Sequence, residues 1–224
     1  MPRKKNVSTG KYHHGEMRKA LTQAALEIVA ASGVANLSLR EIARRIGVST
    51  AAPYFHFKDR QSLLIEIAID GYSTLLGQLQ AAQQVESSPQ RQLERAVVTY
   101  LSFSRNHRAH YAIMFLGQFT GHERFDEMVG IANQCLELVR ASIAQGIGSN
   151  QKEVAPAAFC AWSLLHGIAM LDQNGVLSES ANEQESLGVG GVLSIVEGSS
   201  VFAKHRGRQQ SYVRPHKAVR IFVR

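Results

Sequence analysis

The sequence predicts an all-α fold, in which a small helix-turn-helix head precedes a larger helical body. Apolar residues recur at three- and four-residue steps along most of the chain, and no segment alternates with a period of two between turn signals. A capped helix, a glycine turn and a short second helix follow one another within residues 38–56. The charged residues are also divided unevenly along the chain.

Charge separates the chain into three parts. Residues 1–60 hold 11 Lys and Arg against 4 Asp and Glu, whereas residues 61–200 hold 7 against 14. Residues 201–224 hold 7 Lys and Arg and no acid. A basic head joined to an acidic body is the distribution expected when only the head meets a polyanion. A membrane surface is a poorer fit, because nothing resembles a basic amphipathic helix with large apolar anchors.

The N-terminal part divides into an arm and a head. We expect residues 1–11 to form a flexible basic arm and residues 12–60 to form the head. Apolar residues at helical spacing predict a first helix over residues 16–31, and Gly33 supplies a C-terminal stop.

The second helix of the head carries a capping box, in which Ser38 and Glu41 satisfy each other's free backbone N–H groups. Its apolar stripe ends at Gly47, and Ser49 is a good N-cap for a short third helix over residues 50–56. This is the layout of a helix-turn-helix, whose second helix fits the major groove of DNA. The alternative is an ordinary three-helix bundle with a glycine turn.

The short third helix combines a proline with several aromatic residues. Pro53 lies near the first turn, where few intrahelical donors are lost. We expect Phe55 and Phe57 to point back to the core with Ile42 and Ile46, so that smaller residues can approach base edges. The residues expected to face outward are Thr50, Ala51, Ala52, Tyr54 and His56. Basic residues on either side favour the DNA interpretation: Arg40, Arg44, Arg45, Lys58 and Arg60.

The body, residues 61–200, is expected to be helical throughout. Its predicted helices cover residues 59–84, 90–106, 108–115, 123–145, 155–173 and 183–197. We expect neither a membrane-spanning run of roughly 18 uncharged apolar residues nor an apolar signal sequence. Cys135 and Cys160 are expected to be buried thiols, so we predict a protein of the reducing cytoplasm.

Several body side chains suit either plain packing or a ligand cavity. Phe159, Trp162, His166 and Met170 fall on one stripe of the penultimate helix. Tyr111, Met114 and Phe115 offer soft, adaptable lining. His107 and His110 are three apart, but no thiolate or carboxylate stands beside them, so we predict no metal and no other cofactor.

The head resembles the DNA-binding domain of TetR-type transcriptional regulators. The similarity runs through "YHHGEMRKALTQAALEIVAASGVANLSLREIARRIGVSTAAPYFHFKDRQSLL", residues 12–64. Within "AWSLLHGIAML", Trp162 and His166-Gly167 resemble the subgroup with a Trp-His-Gly C-terminal domain. The resemblance implies a homodimer that binds a palindromic operator in double-stranded DNA, usually represses, and releases DNA when a small-molecule effector enters the body. It also implies dimeric packing of the last two helices, with Gly190-Gly191 allowing close approach.

The resemblance also implies which residues meet DNA. Arg40, Thr50 and Ala51 are the expected base readers, and Arg40 suits a guanine as a bidentate donor. Tyr54, His56 and the start of the fourth helix are expected phosphate contacts. The full expected set is Arg40, Ser49, Thr50, Ala51, Ala52, Tyr54, His56, Lys58 and Arg60. Arg60 stands where the family usually has Lys, and its forked guanidinium changes the contact geometry. The expected effector-binding set is His110, Tyr111, Met114, Phe115, Trp162 and His166.

Two other functions compete with this interpretation. An enzyme is disfavoured, because the chain has no Gly-rich phosphate loop, no HExxH and no GxSxG. A sequence-neutral DNA-packaging protein is favoured by the basic termini but not by a capped short helix on an acidic body. Residues 201–224 are expected to form a disordered basic tail, which either has no role or adds sequence-independent phosphate contacts.

Overall fold

Every regular element that the structure describes is a helix, which confirms the predicted all-α class. The computed structural model describes residues 9–206 apart from residues 86–87, 148–150 and 178–179. The α-helices are α1 (Thr9–Ser32), α2 (Leu39–Arg45), α3 (Arg60–Gln84), α4 (Pro89–Asn106), α5 (Arg108–Met114), α6 (Phe125–Ile147), α7 (Gln151–Gln173) and α8 (Ala181–Arg206). Two short 3-10 helices cover Val34–Asn36 and Ala52–Phe55.

The helix ends differ from the predicted ones at both termini. α1 begins at Thr9, so the last three residues of the predicted flexible arm are helical, and residues 1–8 lie outside the described part. α8 continues to Arg206, so the first six residues of the predicted disordered tail are helical too. No proline interrupts the chain there, and residues 207–224 lie outside the described part.

The chain folds into two compact units. Unit 1 contains the described residues up to Asp70 together with Ala109–Phe125. Unit 2 contains Gly71–Arg108 and the described residues from Asp126 onward. The unit boundary falls inside α3. The predicted division into a head of residues 12–60 and a body of residues 61–200 concerns function. It stays a prediction, because the two units are defined by packing contacts alone.

The core of unit 1 is made by apolar stripes on α1, α2 and α3. Leu21, Ala25, Ile42 and Leu63 are fully buried, as the helical spacing predicted for the first three. Burying a leucine or isoleucine side chain in this way contributes about 1.5–3 kcal/mol. Gly33 ends α1 with a φ of 80°, a conformation that a residue with a Cβ adopts only at a cost, so the predicted stop is confirmed.

In unit 2, two glycines let α8 lie close to its neighbours. A Cβ on Gly188 would lie 2.9 Å from Leu101 Cδ1, and one on Gly191 would lie 2.6 Å from Leu164 Cδ2. Gly191 thus serves packing against α7 of the same chain, whereas Gly190 faces open space. The start of α8 also carries a capping box that the sequence analysis missed, Ser180 with Glu183.

Replacing Gly188 by alanine is expected to destabilise the protein relative to the same change at Gly130. Around Gly188 the new methyl group meets side chains of α4, so overpacking costs about 1–3 kcal/mol. Gly130 is an exposed position in α6 with nothing within 4 Å, and alanine there gains up to about 1 kcal/mol of helix propensity. Urea unfolding of both variants measures the difference, and equal shifts of the two midpoints would contradict this packing.

α7 corrects three expectations. Its segment Val154–Gln173 is, by length and composition, apolar enough to cross a membrane, with a mean hydropathy of 1.6, so the expectation that no run reaches this length is wrong. The helix is apolar because its inner face is core: Ala161 is fully buried. Phe159 and Met170 point outward and are 45% and 37% exposed, so the predicted single stripe divides between two faces.

The third correction concerns the cysteines. Cys160 lies on the outer face of α7 and is exposed, whereas Cys135 is buried as predicted. Burial raises the pKa of the Cys135 thiol to about 12, which keeps it protonated and unreactive at neutral pH.

Candidate nucleic-acid interface

α2 begins with one half of the predicted capping box. The Ser38 hydroxyl accepts a hydrogen bond from the Glu41 backbone N–H at 3.1 Å. The Glu41 carboxylate does not return to Ser38 but accepts from the Arg44 guanidinium, with Nε to Oε2 at 2.9 Å. These hydrogen bonds from Arg44 are the main cause that lowers the pKa of Glu41. An arginine one turn away competes better for the carboxylate than a backbone amide does.

The predicted turn after α2 is confirmed at Gly47. Its φ is 72°, the left-handed conformation that favours glycine. Gly47 N–H donates to the Arg44 carbonyl, and Val48 N–H donates to the Ala43 carbonyl at 3.0 Å. This pair of bonds is a Schellman motif, which satisfies carbonyls that the end of a helix leaves free.

The expected third helix is a tight 3-10 segment, which we call the recognition segment (residues 50–56). Successive bonds run to the third preceding residue, from Tyr54 N–H to the Ala51 carbonyl and from His56 N–H to the Pro53 carbonyl. The N-cap is Ala51, without a side-chain bond, so the expectation of a Ser49 side-chain cap is wrong. Ser49 contributes its carbonyl, which accepts from Ala52 N–H.

Pro53 and Phe57 anchor the recognition segment. Phe57 is 1% exposed and Pro53 is also buried, whereas Phe55 is 79% exposed. The expectation that Phe55 points to the core is therefore wrong. Pro53 occupies the buried face of the 3-10 helix, and Phe55, two residues further along the same helix, therefore lies on another face.

The outward surface is otherwise close to the predicted one. Tyr54 is 52% exposed. Four more residues of the expected DNA-binding set are exposed: Arg40, Ser49, Thr50 and Ala51. Lys58 is exposed as well, while Ala52 and His56 are half-buried. All of these residues belong to unit 1.

Arg60 has a structural position that the sequence analysis missed. Its Nε donates to the Leu37 carbonyl at 2.9 Å, and its Nη2 donates to the Val34 carbonyl at 2.7 Å. A lysine ammonium lacks the flat fork that meets two carbonyls in this way. Arg60 thus ties the start of α3 to the 3-10 helix at residues 34–36. The predicted phosphate contact would use the remaining N–H groups of the guanidinium.

The predicted start of the fourth helix is confirmed. α3 begins at Arg60, and Asp59 Oδ1 accepts from the Ser62 backbone N–H at 2.7 Å and from the Ser62 hydroxyl at 2.8 Å. Those hydrogen bonds from Ser62 hold the pKa of Asp59 below its usual value. The cap fixes where α3 leaves the recognition segment.

Arg18 holds the far end of the recognition segment, and the sequence analysis did not single it out. Its Nη1 donates to the His56 carbonyl at 2.9 Å, and its Cζ lies 4.5 Å from the centre of the Phe57 ring. Its Nε donates to Glu66 Oε1 at 2.6 Å, and its Nη2 pairs with Glu66 Oε2. The sequence offered one signal for this role: Arg18 shares a face of α1 with the apolar residues Leu21 and Ala25.

The expected effector-binding residues fall into both units. In unit 1, His110 Nε2 lies 3.2 Å from Asp70 Oδ2, a carboxylate that the sequence analysis did not place beside it. Tyr111 and Met114 are buried, and the rings of Tyr111 and Phe115 are 4.8 Å apart. The ring contact is that of a packed core, whereas the His110 contact lies at the surface, where the Asp70 side chain is 70% exposed.

In unit 2, Trp162 lies beside a small apolar cavity. Its ring meets Tyr100 edge to face at 5.2 Å. The cavity has a volume of about 10 Å³ and is lined by Leu79, Leu93, Ala96, Val97, Tyr100, Val139, Ala161, Trp162, Leu165 and Val192. His166 is half-buried, and burial lowers its pKa, which favours the neutral imidazole at pH 7. A volume of this size has no room for a small organic molecule.

Comparison with known proteins agrees with this geometry. Residues 21–67 match the family described as bacterial regulatory proteins, tetR family, and residues 93–188 match the tetracyclin repressor-like C-terminal domain. A protein of unknown function from Rhodococcus sp. RHA1 is 31% identical, with 84% of this chain and 97% of that chain covered and a TM-score of 0.69.

Two further relatives carry regulator names. The uncharacterized HTH-type transcriptional regulator YobS of Bacillus subtilis (strain 168) is 25% identical over 77% of this chain and 87% of that protein. The TetR family transcriptional regulator PfmR of Thermus thermophilus shares the fold, with a TM-score of 0.66, 19% identity, and 79% and 97% of the two chains covered. The two family matches together span more than half of this chain. The chain belongs to the TetR family.

Proposed function

We propose that the protein is a cytoplasmic, homodimeric transcriptional regulator, which binds a palindromic DNA operator, represses, and releases DNA when a small molecule binds. The observation that carries this proposal is the recognition segment, which presents Thr50, Ala51 and Tyr54 to solvent while Pro53 and Phe57 fix it from below. Short side chains let a helix lie close to base edges in the major groove. Trp162 and His166-Gly167 support the Trp-His-Gly subgroup within the family.

Arg40 is proposed as the main reader of base identity, with Thr50 and Ala51 beside it. Arg40 is exposed near the start of α2. Tyr54, His56, Ser49, Ala52, Lys58 and Arg60 would complete the contact, mainly through phosphates. Phosphate contacts place a protein on DNA, whereas a bidentate arginine distinguishes guanine from the other bases.

Arg40→Ala is expected to lower affinity for the preferred DNA by about 1–3 kcal/mol and to relax selectivity at one base in each half-site. Tyr54→Phe should instead weaken binding to all sequences about equally, because its hydroxyl is proposed to meet a phosphate. Fluorescence anisotropy with the preferred duplex and with single-base variants of it measures both. Arg91→Ala, an exposed arginine of α4, is the control. An Arg40 variant that keeps the full site preference would contradict the proposed base reader.

The outer faces of α7 and α8 are proposed as the dimer interface. Large apolar side chains are exposed there, with Phe159 45%, Met170 37% and Leu187 57% exposed. Small residues lie beside them on α8, at Gly190 and Ser194, both exposed. A face that joins exposed apolar residues with small ones can pack closely on its own copy about a two-fold axis.

The effector is proposed to bind in unit 2 around Trp162 and His166. The four expected residues of unit 1 are proposed to take part in the response as well: His110, Tyr111, Met114 and Phe115. Every residue at the small cavity except Tyr100 and Trp162 is aliphatic, so a hydrophobic or aromatic compound fits its chemistry. Because the cavity measures only about 10 Å³, such a compound would bind a more open conformation. A ligand changes DNA affinity only through its preference between conformations.

Trp162→Ala is expected to alter the response to hydrophobic effectors and to leave the DNA site preference unchanged. Removing the indole enlarges the cavity next to Tyr100 and deletes one of its walls. A panel of aromatic compounds, tested for melting-temperature shift and for release of DNA together, measures this response. Compounds that bind tightly to the parent protein without changing its DNA affinity would contradict the proposed coupling.

A further inference from the structure

Glu66 stands at the centre of an ion-pair network in unit 1. It lies between one and two turns into α3, and its side chain is 23% exposed. Arg18 of α1 pairs with both of its oxygens, and Arg124 Nη1 lies 3.3 Å from Oε2. A carboxylate held between two guanidinium groups is fixed more firmly than one in a single surface pair.

The Arg18 guanidinium transmits the position of Glu66 to the recognition segment. Nε and Nη2 face the carboxylate, and Nη1 donates to the His56 carbonyl at 2.9 Å. The guanidinium is planar and rigid, so the carboxylate and the carbonyl cannot move independently while all three bonds hold. The same group lies 4.5 Å from the Phe57 ring centre, which fixes its plane.

Arg124 belongs to the loop between α5 and α6, which contacts the first turns of α3; we call it the anchor loop (residues 115–124). Gln61 Nε2 donates to the Gln118 carbonyl at 2.6 Å, and Ser62 Oγ lies 3.4 Å from His122 Nε2. Phe119, in the middle of the loop, is 2% exposed. Glu66 lies one turn beyond Ser62, so these contacts follow one face of the helix.

We propose that Glu66 is a positioning residue for the recognition segment and acts through Arg18. Arg124 connects the anchor loop to this Arg18–Glu66 pair. The inference rests on the proposed function, because positioning matters where the segment reads DNA. The anchor loop lies within the part of the chain that matches the C-terminal family domain, whereas Arg18, Glu66 and the recognition segment lie in or beside the N-terminal match. A shift of the loop therefore reaches the His56 carbonyl through two charged contacts.

Arg18→Lys separates positioning from simple ion pairing. A lysine can still pair with Glu66, but it cannot hold the carboxylate with two bonds and the His56 carbonyl with a third in one plane. Glu66→Gln places an amide NH2 against the arginine and loosens the same fork. Arg124→Gln removes the positive charge that the anchor loop presents to Glu66, and Arg124→Lys restores it. Arg140→Gln removes the comparable pair with Glu137 on α6 and serves as the control.

Amide hydrogen exchange of the full-length variants, read on peptides covering residues 52–58, measures positioning without DNA. His56 and Phe57 N–H both donate to the Pro53 carbonyl, so loosening the segment speeds their exchange. Exchange should be faster in Arg18→Lys and Glu66→Gln, intermediate in Arg124→Gln, and close to the parent rate in Arg124→Lys and Arg140→Gln. Unchanged exchange in Arg18→Lys overturns the inference.

Binding to DNA is measured in parallel, with the duplex that the parent enriches from a random pool and a scrambled duplex of the same length. The ratio of the two affinities should fall about tenfold in Arg18→Lys, the size of one hydrogen bond to a charged group. Equal loss on both duplexes would overturn positioning and leave only a general loss of folded protein. If the parent enriches no sequence, the proposed function fails while the exchange result still decides the role of Glu66.

Discussion

Leu187→Arg is expected to convert the proposed dimer into a monomer and to lower operator affinity by at least about a hundredfold. Leu187 is 57% exposed on the outer face of α8, and a buried arginine without a partner costs several kcal/mol at an apolar interface. Two linked heads bind one palindrome far more tightly than a single head, commonly by a factor of about 10²–10⁴. The light-scattering mass should fall from twice 24.6 kDa to 24.6 kDa.

Val85→Arg is the matched control for this change. Val85 is 70% exposed just after α3 and lies outside the proposed interface, so its variant should remain a dimer with unchanged operator affinity. Melting temperatures separate misfolding from dissociation, because Leu187→Arg should leave a folded, helical monomer. A Leu187→Arg protein with the mass of a dimer and full operator affinity would show that the α7 and α8 faces are not the interface.

Phe57→Ala is expected to destabilise unit 1 by about 3–5 kcal/mol. The side chain is 1% exposed and carries the Arg18 guanidinium on its ring, so its loss leaves a cavity beneath the recognition segment. Specific DNA binding should be lost together with the fold of the segment. Urea unfolding followed by circular dichroism, with hydrogen exchange of residues 50–60, measures the loss and locates it in unit 1.

Phe55→Ala provides the contrast two residues earlier. Phe55 is 79% exposed, so its truncation should change the free energy of unfolding by less than about 0.5 kcal/mol. The two phenylalanines have the same chemistry and differ only in the face that they occupy. If Phe55→Ala destabilised the protein as much as Phe57→Ala, the Phe55 side chain would have to be buried, which would contradict its exposure in the structure.

The regular parts of the fold were predictable because their signals are local. Gly33, Gly47, Ser38 and Asp59 each mark a helix end by backbone conformation or by a short-range hydrogen bond. Helical spacing likewise placed Ile42 in the core. Such signals depend on residues within one turn, and a sequence displays them directly.

The errors arose where several partners competed locally or where the partner was distant in the sequence. Glu41 had two local partners within reach, the Ser38 backbone N–H and the Arg44 guanidinium, and the sequence does not say which of them holds it. Arg60 was expected to contact a phosphate, because no residue near it in the sequence indicates that it donates to the carbonyls of Val34 and Leu37. The Arg18–Glu66 pair joins residues 48 positions apart, which no local pattern encodes.

The proposed effector site was the least predictable feature. The residue types at Trp162 and His166 suit a cavity wall and a helix core equally well, and the cavity beside Trp162 holds about 10 Å³. A pocket that opens only with its ligand leaves little trace in a sequence, because its lining must also pack tightly when it is empty.

Selection of DNA from a random pool by the purified full-length protein tests the proposed function most directly. A dimer with two recognition segments about one turn of DNA apart, roughly 34–36 Å, should enrich a palindrome whose half-sites have that spacing. Adding increasing salt should weaken binding to the enriched and scrambled duplexes alike while the preference between them persists. Enrichment of no consensus at any salt concentration would contradict a sequence-reading regulator and favour sequence-neutral packaging of DNA.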